Sequence, residues 1–148
     1  MTRLHIEKKS WPLKEPFTIS RGTETSSDVI IVRLESDGVV AHGEAVGVDY
    51  HGETLDGMIA QLESIRGQIE SGIDGATLQP LLPAGGARNA IDAALWDLEA
   101  KRTGVRAWQR AGVPSGGPIT TAITIGIRDL DGYARSARPL PDHPGIKI

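Results

Sequence analysis

A chain of 148 residues is long enough for one core, or for a small domain and the beginning of another. Lys and Arg number 16 against 19 Asp and Glu, a net charge of −3 with no basic stripe, which excludes nucleic acid as the main partner. The lack of cysteine excludes disulfides and thiolate chemistry, and with no apolar leader and no run of ~20 apolar residues the chain reads as cytoplasmic, with no membrane partner.

Residues 3–8 alternate Leu4 and Ile6 against Arg3, His5 and Glu7, the period of a half-buried strand that Trp11-Pro12 ends. Residues 17–27 are rich in Ser, Thr and Gly around Arg21 and read as a polar loop. The β-branched residues 29–35 predict a second strand, Asp37-Gly38 a tight hairpin, and residues 39–45 a third strand. The chain therefore opens as a three-stranded antiparallel meander.

Thr54 is placed to cap a helix in which Leu55, Met58, Ile59, Leu62, Ile65 and Ile69 form one apolar stripe, closed by Gly72. A short helical turn is expected within residues 74–81. Pro83 and Gly85-Gly86 then punctuate the chain, and Ala87, Ala90, Ile91, Ala94, Leu95 and Leu98 fall at helical spacing up to Gly104. Ala93, Trp96 and Ala100 widen that stripe and predict an enclosed helix. Another short helix is expected at 106–111. A meander followed by helices is the pattern of an α+β domain with its helices on one sheet face.

After Pro118 the grammar changes. Residues 119–127, ITTAITIGI, predict a strand buried on both faces; 129–138, with Leu130, Tyr133, Ala134 and Ala137, a short amphipathic helix; and 145–148 the start of another strand. That is a parallel crossover unit, whose strands expect neighbours on both sides. Pro139, Pro141 and Pro144 read as a stiff loop within it.

Four segments carry more than periodicity: FTISRG at 17–22, GEA at 43–45, YHGET at 50–54 and ARNAIDAALWDLEAK at 87–101. In that order they closely resemble the N-terminal part of the enolase superfamily, nearest to its muconate-lactonizing subgroup and, within that, to the L-Ala-D/L-Glu dipeptide epimerases. The resemblance implies a capping domain over residues 1–114. From 115 to 148 it implies the start of a truncated (β/α) barrel, a fold whose full copy takes roughly 250 residues. It also implies an isomerase that removes the α-proton of a dipeptide's C-terminal residue and returns it on the other face. Magnesium, held by later barrel strands, would stabilise the enediolate, and the full-length protein would be a homo-oligomer. An N-acylamino acid racemase, a muconate cycloisomerase, an o-succinylbenzoate synthase and a non-catalytic capping module remain alternatives.

The same resemblance assigns roles to residues. Lys147 takes the first position of a Lys-x-Lys motif on the second barrel strand, whose second lysine is the base; taken alone, GIKI carries only a surface lysine. Thr124 lies at the barrel mouth, where its hydroxyl can donate to a substrate carboxylate or carbonyl. Arg21 sits in a loop that closes over the site, and a guanidinium grips a glutamate side chain bidentately. Tyr50 is a second substrate contact. No metal ligand is expected in this chain. Glu53 and His51 read as an ordinary turn before a helix, and Glu44, Asp92 and Asp97 as structural acids. His5, His42 and His143 lack zinc spacing, and GGARNA lacks the lysine of a phosphate-binding loop.

Overall fold

Glycine and alanine decide how the first sheet is covered. The computed structural model describes residues 1–114, 117–140 and 144–147. Ser115-Gly116, Pro141 and His143 of the expected loops, and Ile148 of the last expected strand, lie outside them. Three strands, β1 (Thr2–Ile19), β2 (Gly22–Ser36) and β3 (Val39–Val46), pair in the order β1-β2-β3. β2 and β3 are antiparallel, with Ser36 opposite Val39 and Val29 opposite Val46. Asp37 adopts a positive φ of 52° and Gly38 one of 81°, the geometry a two-residue hairpin requires.

β1 and β2 are far longer than expected, and the predicted polar loop at 17–27 is a hairpin turning at Ser20-Arg21. Ladder hydrogen bonds are made by backbone alone, so a stretch of Ser and Thr with no apolar alternation can pair as well as an apolar one. Across this hairpin the Thr18 and Thr23 hydroxyls lie 2.9 Å apart.

The chain forms two compact units, one of Met1–Trp11 and Asp28–Pro114, the other of Pro12–Ser27 and the described residues after 114. In the first, Ile30, Val32, Leu34, Ala41 and Ala45 of the sheet meet helices α1 (Leu55–Ser64), α2 (Arg66–Glu70), α3 (Gly75–Leu78) and α4 (Gly86–Thr103) in one buried cluster. Thr54 caps α1 by accepting the Gly57 N–H at 3.0 Å, and Asp74 caps α3 through the Thr77 N–H at 2.8 Å. The single apolar stripe of residues 55–69 is broken at Ile65, where φ and ψ leave the helical region. There Arg66 turns to donate from Nη1 to the Leu4 carbonyl at 2.6 Å and to Glu70 at 3.1 Å, with Glu63 on its other two nitrogens.

α4 lies directly on β3. A Cβ at Gly43 would stand 1.9 Å from the Ala90 carbonyl oxygen and 2.8 Å from the Ala94 nitrogen, so only glycine permits this approach. Lys101 donates to the Val40 carbonyl at 2.9 Å and Asp97 accepts the His42 N–H at 2.8 Å, fastening the far end. The helix is not enclosed as its alanines suggested: Ala93 faces solvent and Trp96 is 38% exposed. One sheet can bury only one helix face, and Arg110 of α5 (Ala107–Arg110) stacks 5.4 Å from the Trp96 ring.

In the second unit, β4 (Ile123–Thr124) and β5 (Ile146–Lys147) pair in parallel, with α6 (Leu130–Ala137) between them in sequence. Asp129 caps α6 by accepting the Gly132 N–H at 2.6 Å. The expected nine-residue strand is thus much shorter. Ile125 and Gly126 are buried, but Ile119 is 87% exposed and Ile127 is exposed as well. The backbone contacts explain it: Ile123 and Ile125 donate to Gly145 and Lys147, and Ile127 to Thr18 at 2.7 Å, while none of these ladders reaches Ile119.

Replacing Gly43 by Ala should cost about 3 kcal/mol or more of unfolding free energy, because backbone on both sides must move. Gly67→Ala, in helix α2 with open space around its Cβ position, should instead gain about 0.5–1 kcal/mol. Urea unfolding of the two variants checks both signs.

Candidate functional site

β4 and β5 set the geometry of the first two candidates. In their parallel register Thr124 is the direct partner of Lys147. Partners in adjacent strands project to the same sheet face, so a hydroxyl and an ammonium stand side by side there, and both are exposed. Arg21 belongs to the same compact unit, at the tip of the β1–β2 hairpin, and is also exposed.

Tyr50 belongs to the other unit. It occupies the middle of a 3-10 turn, Asp49–His51, with 68% of its surface exposed and its ring 4.6 Å from that of His51. The turn is closed by backbone: His51 donates to the Val48 carbonyl at 2.9 Å, Gly52 to Asp49 at 2.9 Å, and Glu53 to Val48 at 3.3 Å. The four sequence candidates therefore fall into a Thr124–Lys147 pair with Arg21 in one unit and Tyr50 in the other.

Glu53 departs from its reading as an acid at the start of α1. One carboxylate oxygen accepts the Val48 N–H at 3.0 Å and the other the Gly86 N–H at 2.8 Å, the first residue of α4 and 33 positions away. Gly86 and then Val48 hold this carboxyl below its ordinary value of 4.5. Nothing local in the sequence signals that pairing; a glycine pair opening a helix far downstream is visible only as punctuation.

The acids expected to be structural have partners. Burial pushes Asp97 up, and Lys101 at 2.6 Å with the His42 N–H outweighs it, leaving the carboxyl below its usual 3.8. Glu44 accepts from the Trp11 indole at 3.3 Å and Asp92 from Gln79 at 3.4 Å. Among the described residues no three His, Asp or Glu side chains gather closely enough to hold a metal ion. Among them, too, no helix is long and apolar enough to cross a membrane.

A three-stranded antiparallel sheet with helices on one face, followed by a parallel strand pair, is the N-terminal arrangement of enolase-superfamily enzymes. The sequence profile described as "Mandelate racemase / muconate lactonizing enzyme, N-terminal domain" matches residues 1–112, and the chain belongs to that family. It is 37% identical over 140 residues to the L-Ala-D/L-Glu epimerase of Escherichia coli K12, covering 95% of this chain and 44% of that protein. An enolase family member from Agrobacterium tumefaciens with homology to dipeptide epimerases, solved with sodium, L-Ala-L-Glu and an ordered loop, has a TM-score of 0.91 at 35% identity. The match covers 100% of this chain and 46% of that one. The dipeptide epimerase of Enterococcus faecalis V583, solved with Mg and L-Leu-L-Tyr, has a TM-score of 0.82 at 28% identity over 99% of this chain and 45% of its own. The chain thus spans a little under half the length of these relatives.

Glu53 and Asp97 both bind protons less readily in the folded chain than in the unfolded one. On acidification the unfolded state is protonated first, so their stabilisation is complete above the ordinary values of 4.5 and 3.8 and is lost as the pH falls through the lowered folded values. The urea midpoint should therefore be level above about pH 5 and decline below it. Glu53→Gln should flatten part of that decline; an equally steep decline in the variant would show that other carboxylates account for it.

Proposed function

We propose that this chain is the lid and first barrel unit of a dipeptide epimerase of its relatives' length. In this reading residues 1–114 are the capping domain and residues 115–148 open the barrel. The whole enzyme inverts the α-carbon of a dipeptide's C-terminal residue, as in L-Ala-D-Glu and L-Ala-L-Glu, by removing a proton from one face and returning it to the other. The observation that carries the reading is the register of Thr124 beside Lys147 on one face of the β4–β5 pair, in a chain similar over nearly all of its length to dipeptide epimerases.

Each residue has a physical task. Lys147 places a cation where it disfavours the charge of a lysine two positions on along the same face, and only a neutral lysine accepts a proton. Thr124 offers a hydroxyl to the substrate carboxylate or carbonyl. Arg21, at the hairpin tip, grips the glutamate side chain, and Tyr50 borders the substrate from its turn. Relatives carry Mg or sodium. A magnesium ion would neutralise charge building on the substrate carboxylate, and we assign its ligands to polypeptide outside these residues.

A hydrophobic dipeptide is the second reading, favoured by the hydrophobic dipeptide epimerase of Enterococcus faecalis, 31% identical over 145 residues. Arg21 argues for the acidic substrate, and its replacement separates the two. In the full-length enzyme, Arg21→Met should lower kcat/KM for L-Ala-L-Glu by about 100-fold while changing that for L-Ala-L-Leu less than about threefold. Equal losses on both substrates would remove Arg21 from specificity. Lys147→Ala should lower kcat by about 1,000-fold or more. The 148-residue chain alone should give no epimerisation detectable by deuterium exchange at the α-carbon; turnover by it would overturn the assignment.

A further inference from the structure

The turn that carries Tyr50 is fixed at both ends by one side chain. Val48 lies beyond the end of β3, and Gly86 opens α4, so neither N–H has a ladder or helix partner of its own. Both donate to Glu53, at 3.0 and 2.8 Å. The Val48 carbonyl meanwhile takes the N–H groups of His51 and Glu53, so the segment 48–53 forms a closed ring with Tyr50 at its outer point. The carboxylate is what joins that ring to α4.

The surrounding backbone is shaped for this group. A Cβ on Gly85 would stand 2.2 Å from Oε1 of Glu53, and one on Gly47 would stand 2.8 Å from the Glu53 carbonyl oxygen. A Cβ on Gly86 would meet the Met58 sulfur at 2.3 Å. Gly85 and Gly47 thus leave room for the carboxylate and its segment, and Gly86 leaves room for Met58 of α1. α4 is itself anchored through Gly43, so whatever is tied to its first N–H inherits a rigid reference.

We infer that Glu53 is a positioning residue: its carboxylate clasps the turn bearing Tyr50 to the first turn of α4 and so sets where the tyrosine ring stands. A glutamine in its place can accept from one N–H but turns an NH₂ donor toward the other, so one of the two ties is lost and a donor faces a donor. The consequence for catalysis rests on the reading of Tyr50 as a substrate contact. In that case loosening the turn weakens binding of the dipeptide more than it slows proton transfer.

The chain has two tyrosines, Tyr50 and Tyr133. With 3-fluorotyrosine incorporated and the lines assigned by Tyr50→Phe, Glu53→Gln should shift the Tyr50 fluorine resonance and leave that of Tyr133 in place. Amide exchange at Val48 and Gly86 should be slower than in an open chain by about 100-fold in the wild type and at least about tenfold faster in the variant. An unmoved Tyr50 resonance overturns the inference. If the variant does not fold, the wild type decides: open-chain exchange at Gly86 or Val48 overturns the clasp, and protection at both supports it. In the full-length enzyme Glu53→Gln should raise KM about tenfold with kcat within about threefold. A shifted fluorine line with unchanged KM would support the clasp and count instead against Tyr50 as a substrate contact.

Discussion

The approach of α4 to β3 is the constraint on which the first unit depends. A helix can sit this close to a strand only where a side chain is missing, and Gly43 supplies the gap, with Ala90 and Ala94 opposite it. Once the two backbones are in contact, the inward residues of all three strands gain a lid, and Ile91 and Leu98 reach the same cluster as Leu34 and Leu62. Polar ties then select one register along the helix. Lys101 and Asp97 hold its C-terminal half to Val40 and His42, and the Gly86 N–H at its other end is left for Glu53. The helix thus carries position from the sheet out to a surface turn.

Much of this was legible in the residues because capping and punctuation are local. Thr54 accepts an N–H three positions on, an interaction that requires nothing from the rest of the chain, and Gly104 takes the left-handed φ of 70° that ends α4. The hairpin of residues 12–27 was not legible. Its strands have no apolar alternation, and what stabilises them is the pairing of backbone groups, about which side-chain polarity says little. Trp96 misled for a related reason: a wide apolar stripe looks the same in sequence whether a second layer covers it or a neighbouring arginine does.

The candidate site divides along the same line. That Thr124 and Lys147 are neighbours follows from a parallel pairing between segments 23 positions apart, which periodicity announces only as two strands. Their chemistry entered through the likeness of whole segments to a family and not through spacing. Glu53 shows the converse: a residue whose type and place fit an ordinary helix start, but whose carboxylate is used elsewhere, because Thr54 already caps α1 and α4 offers an uncapped N–H nearby.

Stereochemistry limits what this chain can contribute to the proposed reaction. Inversion at a carbon centre requires a proton acceptor on one face and a donor on the other, and residues that share one face of a sheet reach a ligand from one side only. Thr124 and Lys147 share a face, so in the proposed reaction they would address one side of the α-carbon. A second base must approach from another direction, which a strand pair cannot provide and a closed barrel can, since its strands converge on one axis from all sides. The α-proton beside a carboxylate is also very weakly acidic, and the charge released on its removal needs a concentrated positive partner held in place beforehand. One lysine and one hydroxyl at an open sheet face are too little for that, whereas in a barrel mouth covered by the hairpin of Arg21 they would act within a low-dielectric space where each charge counts for more.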